Sequence, residues 1–227
     1  MLPFPFLIEE GKMKLGELKL EALMMITPLA ELDADADGST ALADRIRELR
    51  ENSNYSDYIV AMPGAFNRCF TSLESKGLVP FKTYEIDKGA LTRRGASLCF
   101  DTSKIEDLCK IVGVYYYSDY SNPRRCDYSH FGSEILIRDF KDGTFVIEYM
   151  PRIKRITNIS GDDSTEIQLD EDVCALIPYF IKSELLRIEN EQEAAVARNI
   201  YEQMADEIQD KRTGYQGTVE SVYEVGI

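Results

Sequence analysis

Apolar residues recur every three or four positions near both ends of this chain and every second position in its middle. Leu15, Leu18, Ala22, Met25, Leu29 and Leu32 mark one face of a helix over about 14–32. Thr27-Pro28 is expected to kink it, because proline has no backbone donor and crowds the preceding turn. A second helix over about 40–50 carries Leu42, Ile46 and Leu49. A third segment, capped by Ser56-Asp57, shows a broad stripe of Tyr58, Ile59, Met62, Phe66, Cys69, Phe70 and Leu73. Pro63-Gly64 is expected to divide it into a short and a longer helix, and Lys76-Gly77 to stop it.

From Pro80 the period drops to two. VPFKTYEI alternates, VGVYYYSDY is rich in β-branched and aromatic residues, and EIQL reads as a last short strand. ILIRDF and TFVIEYM flank Lys141-Asp142-Gly143, which predicts a hairpin turning on Asp-Gly. Asp119–Tyr128 and the CDYSHFGSE segment read as loops. The helical period returns after Asp170 or Asp172, either of which suits an N-cap, and Pro178 is expected to bend that helix or mark its true start. The next helix sets Ala194, Ala197, Tyr201, Met204 and Ile208 on a 3-4-3-4 stripe, and Gly214 and Gly217 are expected to end it.

These readings give an α+β fold. A discontinuous helical bundle comes from both chain ends, about 14–79 plus 172–212, with an antiparallel β-rich domain inserted at 80–171. An N-terminal arm, 1–13, and a C-terminal docking arm, 213–227, flank it. MLPFPFLIEEGK lacks the basic start and small-residue cleavage site of a signal peptide and reads as an arm. Tyr201, Met204 and Ile208 on the stripe, and Tyr215, Val219, Val222 and Tyr223 in the arm, are the candidate interface residues.

Charge narrows the choice of partners. The formal net charge is −14. Glu171–Asp210 holds 3 basic and 10 acidic residues, whereas Pro80–Asp170 holds 13 and 15, so the acid concentrates on the helices. A protein that grips nucleic acid by neutralising phosphates is basic; an acidic wall instead lets DNA slide past. No apolar run approaches the ~18 residues of a membrane span. Cys69, Cys99, Cys109, Cys126 and Cys174 show no C-x-x-C pairing and there is one histidine, His130, so neither a metal site nor a disulfide framework is expected.

One motif carries recognisable chemistry. Asp33, Asp35, Asp37 and Gly38, followed by Asp44, match the first half of an EF-hand loop, in which oxygens at positions 1, 3 and 5 surround calcium and a glycine at 6 permits the turn. Asp44 stands where a bidentate glutamate belongs, Thr40 where an apolar residue pairs two hands, and no second loop exists. A calcium-responsive regulatory module is therefore the alternative reading, and an acidic turn capping the 40–50 helix is the plain one. No nucleophile–base pair or glycine-rich phosphate loop supports an enzyme. In Tyr115-Tyr116-Tyr117, alternation puts the outer two on one face, as a packed strand requires.

The segments LIPYFIKSELLRIENEQEAAVARNIYEQMADEI and NYSDYIVAMPGAFNRCFTSLESKGLVP resemble the closing helical pair and the helix leading into the β region of bacteriophage head–tail connector, or adaptor, proteins. The order helices, small β domain, two helices is similar to the adaptor of short-tailed phages. The resemblance implies a structural, non-enzymatic virion protein of the head–tail neck, made in the host cytoplasm and needing no cofactor. It implies a homo-oligomeric ring, a dodecamer, beneath the portal protein. Such a ring extends the DNA channel without reading sequence, offers a surface to the next tail or neck protein, and touches no membrane. For the alternative, calcium titration is expected to show no site at or tighter than about 10⁻⁵ M, the range of calcium sensors.

Overall fold

The computed structural model describes residues 13–26, 56–117, 123–138, 143–157 and 164–220, side chains to 212. The Thr27-Pro28 kink, the Asp33–Asp44 loop, the helix expected at 40–50, the first twelve residues and residues 221–227 lie outside these. The chain is α+β, as its pattern predicts. It divides into two compact units, one of Met1–Leu78 with Arg155–Ile227, the other of Val79–Lys154.

The helical unit contains α1 (Leu15–Ile26), α2 (Ser56–Lys76), α3 (Glu171–Cys174), α4 (Ile177–Leu185) and α5 (Glu191–Glu220). Helix α4 is its hub and packs against α1, α2 and α5. Six of its nine residues are buried: Ile177, Pro178, Phe180, Ile181, Ser183 and Leu185. Pro178 sits in the first turn, where its missing donor costs nothing, and so marks the start of α4. Asn190 caps α5, its Oδ1 accepting from the Glu193 amide at 3.2 Å.

Helix α2 runs unbroken through Pro63-Gly64, against the expected division. Proline inside a helix costs about 3 kcal/mol. The same turns bury Ile59, Met62, Phe66, Cys69, Phe70 and Leu73, and each large apolar side chain contributes roughly 1.5–3 kcal/mol on full burial. The stripe outweighs the proline. At the far end the Leu78 amide donates to Leu73 O at 3.0 Å and the Gly77 amide to Glu74 O at 3.2 Å. This is the paired C-terminal stop in which two orphan carbonyls are satisfied at once.

Helix α5 likewise continues through Gly214 and Gly217 to Glu220. A glycine costs about 1 kcal/mol relative to alanine in a helix, which is a tax and not a stop. A long helix already nucleated on a packed face propagates across it.

The chain re-enters the helical unit at Arg155 and is fastened at once to α2. Asn67 Nδ2 donates to Ile156 O and Asn67 Oδ1 accepts from Ile156 N, both at 2.9 Å. Arg155 donates to Glu74 Oε2 at 2.6 Å. Farther on, EIQL adds no strand to a sheet. Leu15 N donates to Thr165 O and Ile167 N to Met13 O, each at 2.9 Å, an isolated bridge to the start of α1. Ile156, Ile167 and Leu169 are buried. The residues from Arg155 to Glu171, expected in the β domain, thus belong to the helical unit.

The β unit holds β1 (Lys82–Ile86), β2 (Thr92–Arg94), β3 (Ser97–Asp101), β4 (Leu108–Tyr117), β5 (Arg124–Arg125), β6 (Tyr128–Phe131), β7 (Glu134–Ile137) and β8 (Thr144–Pro151). They form two antiparallel sheets, ordered β1-β8-β4-β5 and β2-β3-β7-β6. One core joins them, with Ile86, Val114, Tyr116, Phe145 and Ile147 from the first sheet and Phe100, Ile135 and Ile137 from the second. Tyr116 points inward while Tyr115 and Tyr117 are half-buried, the alternation expected of this strand.

The hairpin expected at Lys141-Asp142-Gly143 does not form. Strand β7 pairs with β3 and β6, β8 with β1 and β4, so the two runs lie in different sheets, while Lys141 and Asp142 themselves lie outside the described residues. Gly143 serves another purpose: a Cβ there would run into the Tyr116 ring and the Tyr117 carbonyl oxygen. The tight hairpins are Arg94–Ser97 and Phe131–Glu134, turning on Gly95-Ala96 and Gly132-Ser133. Each has glycine first with positive φ, +62° and +59°, as two-residue hairpin turns require. CDYSHFGSE is therefore strand and turn, with His130 exposed on β6.

Gly143→Ala is expected to destabilise the β unit by about 2–4 kcal/mol, the scale of a core overpacking that displaces backbone. Gly95→Ala meets no atom and should cost about 1–2 kcal/mol, from its left-handed backbone alone. Urea unfolding followed by tyrosine fluorescence measures both.

Candidate interaction surfaces

The apolar stripe of α5 finds its partner inside the chain. Ala194, Ala197, Tyr201, Ala205 and Ile208 are buried, and Tyr201 is among the largest fully buried side chains. The Tyr201 and Phe180 rings meet edge to face at 4.9 Å and 79°. The Arg198 guanidinium lies over Phe180 at 4.2 Å and Arg68 Nε donates to Glu184 at 2.7 Å. Arg198 donates to the other Glu184 oxygen at 3.4 Å. Tyr201 Oη donates to Ser72 Oγ at 2.8 Å, which ties α5 to α2. Burial pushes the Tyr201 phenol up to a pKa of about 12.

Tyr201 and Ile208, expected on an interface between subunits, are thus core residues, and Met204 is half-buried. A heptad-type stripe announces that a helix has a partner but not whether the partner is another copy. Tyr215 and Val219 fall on the helical extension of α5, their side chains outside the described residues, as are Val222 and Tyr223.

The outer side of α5 is polar and acidic. Glu191, Glu193, Asp206, Glu207 and Asp210 are exposed. Lys76 bridges Glu202 at 2.8 Å and Asp206 at 3.0 Å, and the hydrogen bond to Glu202 is the chief cause that raises its ammonium pKa. Arg212 is the last described tie of α5 to the unit, donating to Gly77 O at 3.4 Å and to Asp170. Near its start, α5 helps to form an open groove of about 540 Å³ lined by Met25, Tyr179, Lys182, Glu193, Val196 and Ile200. Its charged groups are engaged, Lys182 donating to Met25 O at 2.9 Å and pairing with Glu193 at 3.3 Å. The groove can bind an apolar group; its described lining holds no nucleophile beside a base.

The β unit differs in charge. Val79–Lys154 holds 12 basic and 11 acidic residues, a balance of +1, so a chain at −14 leaves −15 on the helical unit. The outermost strands β2 and β5 carry Arg93, Arg94, Arg124 and Arg125, all exposed. Elsewhere Asp107 accepts from Lys82 at 2.8 Å and from Tyr149 Oη at 2.9 Å. Burial pushes the Asp107 carboxyl up, and the hydrogen bonds outweigh it, leaving the pKa below the usual value. Burial, aided by Asp107, raises Tyr149 to about 12. The phenol, held protonated, and the carboxylate it donates to form a brace that Lys82 completes; neither Tyr149, with its pKa raised, nor Asp107, with its pKa lowered, is poised for proton transfer near neutrality.

Among the described residues no group of His, Cys, Asp and Glu could hold a metal ion. Cys69, Cys99, Cys126 and Cys174 are buried and all five cysteines are free. Desolvation raises the Cys69 thiol far above its usual value and Cys174 to about 11, the opposite of an activated nucleophile. Among the described residues no helix is long and apolar enough to cross a membrane. No protein-family model and no curated protein matches the chain.

Tyr201→Asp is expected to cost several kcal/mol through an unpartnered buried carboxylate, whereas Glu202→Lys, at the exposed end of the Lys76 bridge, stays within about 1 kcal/mol. Tyr201→Phe loses one hydrogen bond, about 1 kcal/mol at neutral pH. Its folded pKa of about 12 lies above the ordinary 10.0, so the unfolded state releases this proton first. Stability from Tyr201 is full below pH 10 and is lost as pH rises towards 12. Melting curves across that window should fall less steeply for Tyr201→Phe than for wild type.

Proposed function

We propose that this chain is a structural virion protein, a head–tail adaptor whose copies close a ring beneath the portal, extend the DNA channel and dock the next tail or neck component. The observation that carries the reading is the discontinuous helical unit. Helices α1 and α2 from one end of the chain and α5 from the other pack against α4, α3 touches α5, and the β unit is inserted between the two ends in sequence. This is the element order of the adaptor proteins that the sequence resembles.

The stripe on α5 no longer argues for self-association, because the chain consumes it. The charge and the long helix support the reading instead. A duplex gains affinity for a protein by releasing counterions to basic side chains; a unit at −15 repels it on balance, which suits a wall along which DNA must travel. Helix α5 has 30 residues, about 45 Å at 1.5 Å per residue. Arg212 makes its last described side-chain tie, and residues 213–220 prolong it. A helical extension ahead of a sequence that carries Val222 and Tyr223 suits docking to a neighbour better than solubilising a terminus.

A chain cut after Arg212 is expected to melt like the whole one, within about 0.5 kcal/mol, and to be missing from the necks of assembled particles. Neck density with many copies of the whole chain is the expected result for the ring. A single copy, or none, would sink it.

A further inference from the structure

A ring closed by rotation needs two different patches on each copy, one meeting the other on its neighbour. A helical unit at −15 readily supplies the acidic patch, and an acidic helix face meeting the same face of another copy would set like charge against like charge. The β unit, at +1, is the part whose arginines reach solvent at sheet edges. On β2, Arg94 is already neutralised by Glu134, which accepts from it at 2.8 and 3.4 Å. Strand β5 differs. It is the outermost strand of its sheet and consists of Arg124 and Arg125, both exposed. Arg125 donates to a neutral group, the Val112 carbonyl oxygen, at 3.4 Å, which steadies the guanidinium without cancelling its charge.

We propose that, in the ring, the β5 edge of one copy docks on the acidic outer face of α5 of the next copy, with Arg124 and Arg125 meeting carboxylates that include Glu207 and Asp210. The contact rests on the ring reading above and names the partner of each patch. Glu207 and Asp210 are exposed, on α5 turns whose inner side holds Ala205 and Ile208. The guanidinium fork fits a carboxylate with two parallel hydrogen bonds, a geometry that lysine does not offer. Charge complementarity of this kind fixes which surface meets which and makes association salt-sensitive.

The test is a charge swap in the full chain, with association followed by sedimentation velocity at low and high salt. R124E/R125E and E207K/D210K are each expected to weaken association at low salt at least about tenfold. The four substitutions together should return it to within about threefold of wild type, since opposite charges then face each other again. E207K/D210K lies on an exposed helix surface and keeps the test open if the β5 variant misfolds. Reversals that leave association unchanged, or a combination that rescues nothing, overturn the contact and leave the ring standing. A wild type that stays monomeric at low salt also overturns the contact, whereas the ring falls on the neck copy count. Unchanged association with lost affinity for duplex DNA in R124E/R125E would assign these arginines to DNA, and overturns the contact too.

Discussion

Nine residues of α4 must satisfy three helices at once, and the rest of the helical unit depends on how they do it. Phe180 supplies an edge for Tyr201 and a face for Arg198, so one ring serves two different attractions. Glu184, on the same helix, holds Arg198 from one side and Arg68 from the other. Its side chain is 9% exposed while those of Arg68 and Arg198 are 58% and 39% exposed, so a buried carboxylate is held by two guanidiniums that reach water. Such bridges contribute less through net stability than through selectivity, because a helix that slid by one turn would strand a carboxylate among apolar groups. The aromatic contact sets how close α5 lies, and the charged contact sets its register.

How far the sequence speaks for the structure depends on the range of the interaction involved. Periodicity over α2 and α5 locates both helices, since burying one face is a local instruction. The stop at Gly77 is legible for the same reason. Pro63, Gly214 and Gly217 mislead because the intrinsic cost of one residue does not decide the outcome when a packed stripe of Phe66, Phe70 and Leu73, or a long docked helix, exceeds it. The Asp142-Gly143 reading fails differently. Two alternating runs joined by Asp-Gly look like a hairpin unless one knows that each has a better partner elsewhere, and β3 for β7 or β4 for β8 is a long-range fact. Phe131-Gly132-Ser133-Glu134 does carry a hairpin signal, a two-residue Gly-Ser turn, obscured by the polar company of Asp127 and His130.

The surfaces are less legible than the core. The spacing of Tyr201 and Ile208 establishes that they are covered; nothing in a single chain's pattern distinguishes cover by α2 and α4 from cover by another copy. The charge, by contrast, is visible in the sequence, but its division becomes sharp only because the β unit ends at Lys154. Moving the boundary from Asp170 to Lys154 transfers Arg155, Asp162, Asp163, Glu166 and Asp170 to the helical side, and −12 against −2 becomes −15 against +1.

The chain leaves the helical unit at Leu78 and returns at Arg155, and both points are pinned to the second half of α2: Leu78 to Leu73, Arg155 to Glu74, Ile156 to Asn67. For the helices, everything in between is a closed loop with its ends already adjacent. The entropy of closing a loop grows only logarithmically, about 0.6 kcal/mol for each doubling of length. The framework is thus nearly indifferent to what the loop contains. A lineage could lengthen, shrink or exchange the β unit, and so change what the protein grips, while leaving the packing around α4 untouched.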